Sequence, residues 1–454
     1  MSYEALLERK KQEGALYGFE PTWIPSLLFP FQAALVEWAV RKGRAALFAD
    51  CGLGKTFVQL TWGENVARHT DGRVLILTPL AVAFQTVAEG RKLGIDVVHR
   101  RDGLRPGDRL VVTNYERLHY FNPDDFAGVI CDESSILKNF DGSIRAQVTD
   151  FMRKRPYRLL CTATAAPNDY IELGTSSEAL GDMGASDMLS RFFKKSEATF
   201  TRSQEHRAGL YRFRGHAESS FWQWVCSWSR SLRKPSDMGF EDGGFHLPPL
   251  AVAHHVVQSN TVRPGYLFDV PAVGLAEQRS DLRRSIEERC LKVAELVNGH
   301  KDAAVVWCNL NEEGRRLTKA IHGAVEVSGN DPEEHKEESF AAFMAGEIRV
   351  LVTKPTIAGF GLNLQHCAHA TFFPSHSYEQ YYQAVRRCWR FGQQRPVKVD
   401  IITTEGQEDV LRNLQRKSAQ ADAMFNRLVG MMWHELSIVR QNDYIKKEAL
   451  PSWL

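Results

Sequence analysis

The stretch AALFADCGLGKTFVQL, residues 45–60, decides the fold. Its first five residues are apolar and predict a buried β-strand, whereas the residues from Lys55 onward predict a helix. Gly52 and Gly54 lie between them and allow a tight turn whose backbone N–H groups face the start of that helix. A strand, a glycine-rich turn and a helix opening with Lys-Thr are typical of a phosphate-binding loop. Within this loop, Lys55 would reach the β and γ phosphates and Thr56 would ligate magnesium. The candidate nucleotide contacts are Gly52, Leu53, Gly54, Lys55 and Thr56.

A pair of carboxylates closes a second apolar run, GVICD at residues 128–132. Asp132 can hold a hydrated magnesium ion while Glu133 orients and deprotonates the attacking water. Asp-Glu pairs are common on surfaces, but a pair at the end of an apolar strand favours a catalytic site. Upstream, Gln32 could satisfy both the donor and the acceptor edge of adenine, although a glutamine there is also usual at a helix start.

Short β-rich runs alternate with helical stretches along the whole chain, which predicts parallel sheets with crossover helices. The runs fall into two series: AALFA, VLILT, LVVTN, GVICD and RLLCT, then AVVWC, VEV, RVLVT, ATFF and VKVDII. We therefore predict an α/β fold of two parallel-sheet lobes in tandem, with an irregular, partly helical insertion between them and a helical C-terminus. The predicted boundaries are 1–180 for the N-terminal ATP-binding lobe, 181–250 for insertion and linker, 251–408 for the C-terminal lobe and 409–454 for a helical brace of that second lobe.

The composition is that of a globular protein with room for two or three cores. Of 454 residues, 43% are hydrophobic and 25% charged, and the formal net charge is only +2. A nucleic-acid surface would therefore have to come from local clusters of charge. Eight cysteines are scattered singly, which predicts reduced thiols in a cytoplasmic protein. The charged opening of the chain and the lack of a long apolar run argue against secretion and membrane insertion.

Two weaker patterns allow both a structural and a functional interpretation. Phe221, Trp224 and Trp228 recur at helical spacing, which is typical of a stripe buried in its own domain but would also suit stacking on exposed bases. Four histidines have no cysteine or carboxylate framework beside them in the sequence, so we interpret them as non-ligands: His254, His255, His366 and His369.

The motifs, in this order, resemble those of superfamily 2 helicases, and specifically the Swi/Snf-type DNA translocase branch in a compact form typical of phage and bacterial genes. The resemblance covers roughly residues 28–175 and 300–404, and it implies that the two parallel-sheet lobes are RecA-like. In the first half, DCGLGKT resembles the branch's DEMGLGKT, TPLAVAFQ and TNYERL resemble its backbone-contact motifs, and TATAAPND resembles its coupling motif. In the second half, TKPTIAGFGLNLQ contains AGxGLNL, and QAVRRCWRFGQ matches the signature QAxxRxxRxGQ.

This resemblance implies roles for particular residues in both halves. By it, Gln383, Arg387 and Arg390 face the nucleotide, and the two arginines stabilise charge on the transferring phosphoryl group. Gly361, in AGFGLNL, joins the nucleotide-binding set. The residues that the resemblance, together with the end of the strand RVLVT, assigns to nucleic-acid contact are Thr78, Pro79, Gln85, Thr113, Tyr115 and Thr353.

The function implied by the resemblance is an ATPase that uses ATP and Mg2+ and moves along double-stranded DNA without regard to sequence. Two departures bear on the coupling of hydrolysis to movement: Ala165 replaces a usual proline in the coupling motif, and Ser134 and Ser135 replace the last two letters of DEAH. Two alternatives stay open, namely a strand-separating DNA or RNA helicase and a non-catalytic nucleotide-gated clamp. The clamp would be favoured by a missing Lys55, Glu133 or Arg390, and all three are present.

Overall fold

The computed structural model describes residues 16–79, 82–138, 142–166, 169–195, 211–258, 282–358, 362–375 and 377–441. Gly361 and the charged opening of the chain lie outside these ranges. The α-helices are α1 (Pro30–Lys42), α2 (Lys55–Thr70), α3 (Ala83–Leu93), α4 (Ser143–Arg153), α5 (Leu173–Leu180), α6 (Ala185–Phe192), α7 (Ala217–Trp228), α8 (Ile286–Asn298), α9 (Asn311–Ala320), α10 (Glu333–Ala345), α11 (Pro355–Ala358), α12 (Tyr378–Cys388) and α13 (Glu408–Gln441). The strands are β1 (Arg44–Ala49), β2 (Arg73–Thr78), β3 (Val97–His99), β4 (Leu110–Asn114), β5 (Phe126–Asp132), β6 (Tyr157–Thr162), β7 (Phe193–Lys195), β8 (Tyr211–Phe213), β9 (Ser229–Leu232), β10 (Leu250–Val257), β11 (Ala304–Trp307), β12 (Ala324–Val327), β13 (Val350–Thr353), β14 (His369–Phe372) and β15 (Val397–Thr404).

The first lobe is built on a parallel sheet, which within the described residues has the strand order β3-β4-β2-β5-β6-β1-β9. Its central strands are buried on both faces, as their continuous apolar runs predict. The last strand, β9, comes from the segment that the sequence assigns to the insertion: Ala46–Ala49 pairs with Ser229–Leu232. The sheet of the first lobe is therefore complete only at Leu232, where the chain has returned to it as strand β9.

The second lobe repeats this architecture with a parallel sheet of order β10-β15-β14-β11-β13-β12 in the described part of the chain. Two apolar cores flank the sheet, one of them packed around Trp307 and Phe372. Two parallel-sheet lobes follow one another along the chain, so the predicted α/β fold class is confirmed. The short strands β7 and β8 pair antiparallel outside both large sheets.

The tryptophan-rich helix α7 belongs to the first-lobe core. Phe221, Trp222 and Trp228 are at most 1% exposed, and Trp224 is buried beside them with its indole N–H donating to Asp182 Oδ2 at 2.7 Å. The ring of Trp228 meets Phe48 of β1 edge to face, with centroids 6.0 Å apart. The structural interpretation of this stripe is correct, and these rings are not available to stack on bases.

The C-terminal helix α13 follows the second lobe but packs on the first. Met424, Phe425 and Leu428 are buried in the same core as α7, and Arg233 at the end of β9 pairs with Asp422 at 2.7 Å. The helix therefore packs mainly on the first lobe, whereas the sequence-based expectation was a brace of the second lobe. The apolar side chains of α13 pack between α7 and β9. The sequence alone does not show that these two elements lie side by side.

The histidines are also arranged differently from the sequence-based interpretation. Asp400 Oδ1 and Oδ2 lie 2.8 Å from the Nε2 atoms of His255 and His369, and His300 Nε2 lies 2.7 Å from His369 Nδ1. A carboxylate does accompany them, brought in from β15. No group of three or more His, Cys, Asp or Glu side chains in the described ranges is arranged to hold a metal ion.

All eight cysteines lie within the described residues, where each is buried and none forms a disulfide bond. Across the described residues, no helix is both long and apolar enough to cross a bilayer.

Candidate nucleotide site between the lobes

The glycine-rich loop between β1 and α2 has the geometry its sequence predicts. Gly52 and Gly54 adopt left-handed conformations, with φ of 89° and 73°, which disfavour side chains with a Cβ. Gly52 also faces the second lobe closely, because a Cβ there would lie 3.1 Å from the backbone nitrogen of Phe391. Helix α2 begins at Lys55, so its first backbone N–H groups point toward the loop.

Gln32 supports this loop from helix α1. Its side-chain Nε2 donates to Leu53 O at 2.9 Å, and its Oε1 accepts from the backbone N–H of Phe29 at 3.0 Å. The side-chain amide of Gln32, which the sequence predicts to bind adenine, thus already uses both its donor and its acceptor in hydrogen bonds within the first lobe. In this structure Gln32 holds the loop in shape, and it would have to exchange these bonds to read a base.

Lys55 has its ammonium group turned onto the backbone of the loop. Nζ donates to Ala49 O at 2.9 Å and to Asp50 O at 3.3 Å. Both acceptors are uncharged carbonyls, so a phosphate oxygen arriving at the loop would be a stronger partner for the lysine. Thr56, the second residue of α2, is half-buried beside it.

The two carboxylates stand at the end of β5. Asp132 is 6% exposed and accepts from Gln59 Nε2 at 2.6 Å; burial, reinforced by the charge of Glu133, raises the pKa of Asp132 to about 6. Glu133 has a left-handed backbone with φ of 50°, which is costly for a residue with a Cβ and is typical of functional sites. This conformation turns its carboxylate to Thr162 Oγ1, 3.3 Å away, in the coupling motif.

Helix α12 of the second lobe delivers the remaining predicted residues to the same place. Gln383 Nε2 donates to Glu133 Oε2 at 3.3 Å, and Arg387 Nη2 lies 3.8 Å from Glu133 Oε1. Arg390 Nε is buried and has no hydrogen-bond partner within the described residues. Burial and the charge of Arg387 lower the pKa of Arg390. Two guanidinium groups in so confined a space would be stabilised by an anion between the lobes.

The oxygen ligands near the loop fit magnesium. The Thr56 hydroxyl and the Asp132 carboxylate are hard donors, and the raised pKa of Asp132 means that a divalent cation would favour its ionised form. Magnesium usually takes only one or two carboxylates and completes its coordination with water and phosphate oxygens. Two protein ligands are therefore an adequate set.

The structure buries four of the six residues predicted to contact nucleic acid. Thr78, Thr113, Tyr115 and Thr353 are at most 3% exposed, although Tyr115 also lines the crevice between the lobes. The three threonines lie in the last two positions of buried strands. Tyr115 donates its hydroxyl to Asp132 O at 2.5 Å. Pro79 and Gln85 do line the crevice between the lobes.

Several contacts between the lobes escape a motif-based interpretation. Lys138 forms an ion pair with Glu379 of α12, and Thr164 Oγ1 lies 3.4 Å from Glu379 Oε1. Neither serine of DESS makes such a contact: Ser135 Oγ donates weakly to Glu133 O at 3.5 Å, and Ser134 Oγ has no partner in the described region.

A second group of missed residues joins the loop to α12. Asp50 accepts from Tyr382 and Arg386 of the second lobe. The sequence feature that could have identified this contact is charge. Three arginines fall within five residues, at 386, 387 and 390, and the phosphate-binding loop contains a single aspartate.

Comparisons with known proteins bear on the second half of this site. Residues 288–392 match the family described as the helicase conserved C-terminal domain. No curated protein matches the chain. Among solved structures, the chain is similar to the SWI2/SNF2 ATPase core of Sulfolobus solfataricus in complex with double-stranded DNA, at 16% identity and a TM-score of 0.41, over 91% of this chain and 96% of that one. The matched segment includes α12, so Gln383, Arg387 and Arg390 lie within the part of the chain that is similar to that domain family.

Proposed function

We propose that this chain, a helicase-type ATPase of superfamily 2 with Swi/Snf-like motifs, couples ATP hydrolysis between its two lobes to translocation along double-stranded DNA. One observation carries the proposal: Glu133 at the end of a first-lobe strand touches Gln383 and approaches Arg387 of the second lobe. A site completed from both lobes ties the state of the nucleotide to the distance between them.

The residues divide the chemistry among themselves. The backbone N–H groups after Gly52 and the ammonium group of Lys55 bind the phosphates, and Glu133 accepts a proton from the attacking water. Arg387 and Arg390 stabilise the negative charge that develops on the transferring phosphoryl group. Thr56 and Asp132 would hold Mg2+, which when bound neutralises phosphate charge.

Hydrogen bonds join the two carboxylates and their backbone to Tyr115 and to the coupling motif. Tyr115, on the turn after β4, donates to the backbone of Asp132, while Thr162 donates to Glu133 and Thr164 contacts Glu379 of the other lobe. Thr162 Oγ1 also accepts from the backbone N–H of Thr164, so a chain of hydrogen bonds runs from the Glu133 carboxylate to Glu379 of helix α12.

The crevice between the lobes favours an intact duplex over a threaded single strand. It has a volume of about 1170 Å3 and is lined by six glutamates and three lysines: Glu89, Glu116, Glu133, Glu333, Glu337, Glu379, Lys92, Lys138 and Lys336. This excess of negative charge repels phosphates that enter the crevice. A duplex lying across its mouth, near Pro79 and Gln85, avoids that repulsion, and backbone contacts there would not depend on sequence.

Displacement of a third strand tests the proposal. The full chain, with ATP and Mg2+, should release a triplex-forming oligonucleotide from intact duplex DNA, and Glu133→Gln at the same concentration should not. ATPase activity should respond most to duplex DNA, and DNA binding should weaken steeply with salt because phosphate contacts release counterions. Efficient unwinding of a tailed fork without triplex release, or stimulation by RNA alone, would refute duplex translocation and favour a strand-separating helicase.

A further inference from the structure

We propose that Asp50 and Arg386 form a buried latch that positions helix α12 on the phosphate-binding loop, so that Arg386 is a positioning residue while Arg387 and Arg390 serve catalysis. The inference rests on the ATPase part of the proposed function and is independent of the track. It assigns different tasks to three arginines that lie within five residues of one another.

The contacts of Asp50 cross from one lobe to the other. Its Oδ1 atom accepts from the Tyr382 hydroxyl at 2.6 Å, from Arg386 Nε at 3.0 Å and from the backbone N–H of Cys51 at 2.6 Å. A second guanidinium nitrogen of Arg386 forms an ion pair with Oδ2. One carboxylate thus holds two side chains of α12 and one backbone group of the loop.

Both charges of this pair are removed from water. The side chains of Arg386 and Asp50 are 2% and 5% exposed. A buried guanidinium group without its carboxylate is strongly unfavourable, so either partner alone would leave an uncompensated charge between the lobes. Burial and the neighbouring Arg390 and Arg387 lower the pKa of Arg386 to about 9, which agrees with its confined position.

The two residues of the latch also contact the surrounding parts of both lobes. On the first-lobe side, the carbonyl oxygen of Asp50 is one of the two acceptors that hold the ammonium group of Lys55. On the second-lobe side, the guanidinium group of Arg386 lies over the Trp389 ring at 4.7 Å, and Trp389 Nε1 donates to Pro248 O in the linker at 2.7 Å. A shift of α12 would therefore move the loop that holds Lys55.

Arg386 differs from its neighbours in being bound to a carboxylate of the first-lobe loop through two of its nitrogens. Its Nε and one terminal nitrogen bind Asp50, and its other terminal nitrogen donates to Trp389 O at 3.3 Å. Arg390 Nε, by contrast, has no partner among the described residues, and Arg387 lies beside Glu133. Arg387 also donates within the protein, from Nε to Gln383 O at 3.1 Å and from Nη1 to Leu362 O at 3.5 Å, but these partners are uncharged, whereas Arg386 is paired with a carboxylate.

A double-mutant cycle on the full chain tests the latch. Asp50→Asn, Arg386→Met and the double variant are compared for binding of a fluorescent ATP analogue and for the single-turnover rate of ATP hydrolysis. We expect each single variant to bind the nucleotide within about three-fold of wild type and to hydrolyse ATP about ten-fold or more slowly, because α12 is misplaced only when the lobes must close. The double variant should be no slower than the slower single variant, since both changes break the same contact.

A second ion pair between the lobes provides the matched control. Arg101 Nη2 lies 3.0 Å from Glu333 Oε2, but these side chains are 42% and 31% exposed and lie away from the loop. Arg101→Gln should change hydrolysis by less than about two-fold, since exposed pairs contribute little. Tyr382→Phe, which removes one hydrogen bond from Asp50 and no charge, should give an intermediate loss and serves as the test if Asp50→Asn does not fold.

Two results would overturn the latch. Losses in the double variant equal to the product of the single losses would mean that Asp50 and Arg386 act separately. Loss of nucleotide binding in Arg386→Met with an unchanged rate per bound ATP would make Arg386 a phosphate ligand. If the protein hydrolyses ATP but does not displace the triplex-forming oligonucleotide, duplex translocation is refuted. The latch is still tested in that case by the single-turnover hydrolysis rates of the variants.

Discussion

Substitution of Phe425 by alanine should release helix α13 from the first lobe without unfolding that lobe. Phe425 is 4% exposed, it packs in the core shared with α7, and the guanidinium group of Arg233 lies 4.7 Å from its ring centre. Truncation of a buried phenylalanine costs about 3–5 kcal/mol. The lower end of this range applies here, because helix α13 can move inward and fill part of the cavity that the substitution leaves. A loss of about 3 kcal/mol raises the opening constant of the helix by roughly 150-fold, at 1.36 kcal/mol per factor of ten.

Hydrogen exchange measured by mass spectrometry detects this opening directly. Peptides that cover residues 415–432 should exchange about 100-fold faster in Phe425→Ala, whereas peptides from β1 and β5 should keep their wild-type rates. Asn426→Ala is the matched control, because Asn426 is the exposed neighbour on the same helix. Unchanged protection of α13 in Phe425→Ala, or equal loss in both variants, would show that this ring does not dock the helix.

The catalytic assignments give three further predictions. Lys55→Ala should lose ATP turnover and keep the wild-type circular dichroism spectrum, because its ammonium group serves phosphate charge rather than the core; turnover at the wild-type level would remove it from the site. Glu133→Gln should still bind ATP in a filter assay but hydrolyse it about 100-fold or more slowly, since an amide cannot accept the proton of water; an equal rate would place the base elsewhere. Arg390→Ala should bind ATP nearly as well as wild type and lose about 1000-fold in turnover, as expected of a group that acts on the transition state; weaker binding with normal catalysis would contradict that role.

The sequence predicted the parts of the molecule that local patterns determine. Continuous apolar runs located the central strands. The glycines on either side of Leu53 located the loop, because few residues other than glycine adopt a left-handed backbone conformation. The pairing of Asp132 with Glu133 at a strand end was equally local. Each of these features depends on residues within about one turn or one strand of each other.

The remainder depended on contacts between distant segments. Strand β9 joins the first sheet across more than a hundred residues, and α13 packs beside it after the chain has built a whole second lobe. Motif resemblance also gave no information on burial, so Thr78 and Thr113 were assigned to nucleic-acid contact although both are fully buried. The partnership of Asp50 with Arg386 is the same kind of case, since neither residue is unusual in its own segment.

The return of α13 to the first lobe places both connections between the lobes at one edge of the sheets, where a pivot for movement of the lobes would lie. The chain crosses between them twice, after Arg233 and again in the segment before Asp422, and these two residues are bonded to each other at 2.7 Å. The crossings lie at the β9 edge of one sheet and the β10 edge of the other, whereas Arg101 and Glu333 follow β3 and β12 at the opposite edges. Strands spaced about 4.8 Å apart make the seven-stranded sheet a lever arm of roughly 29 Å. A rotation of about 7° at the pivot then moves the far edge by about 3.4 Å, the rise of one base pair along DNA.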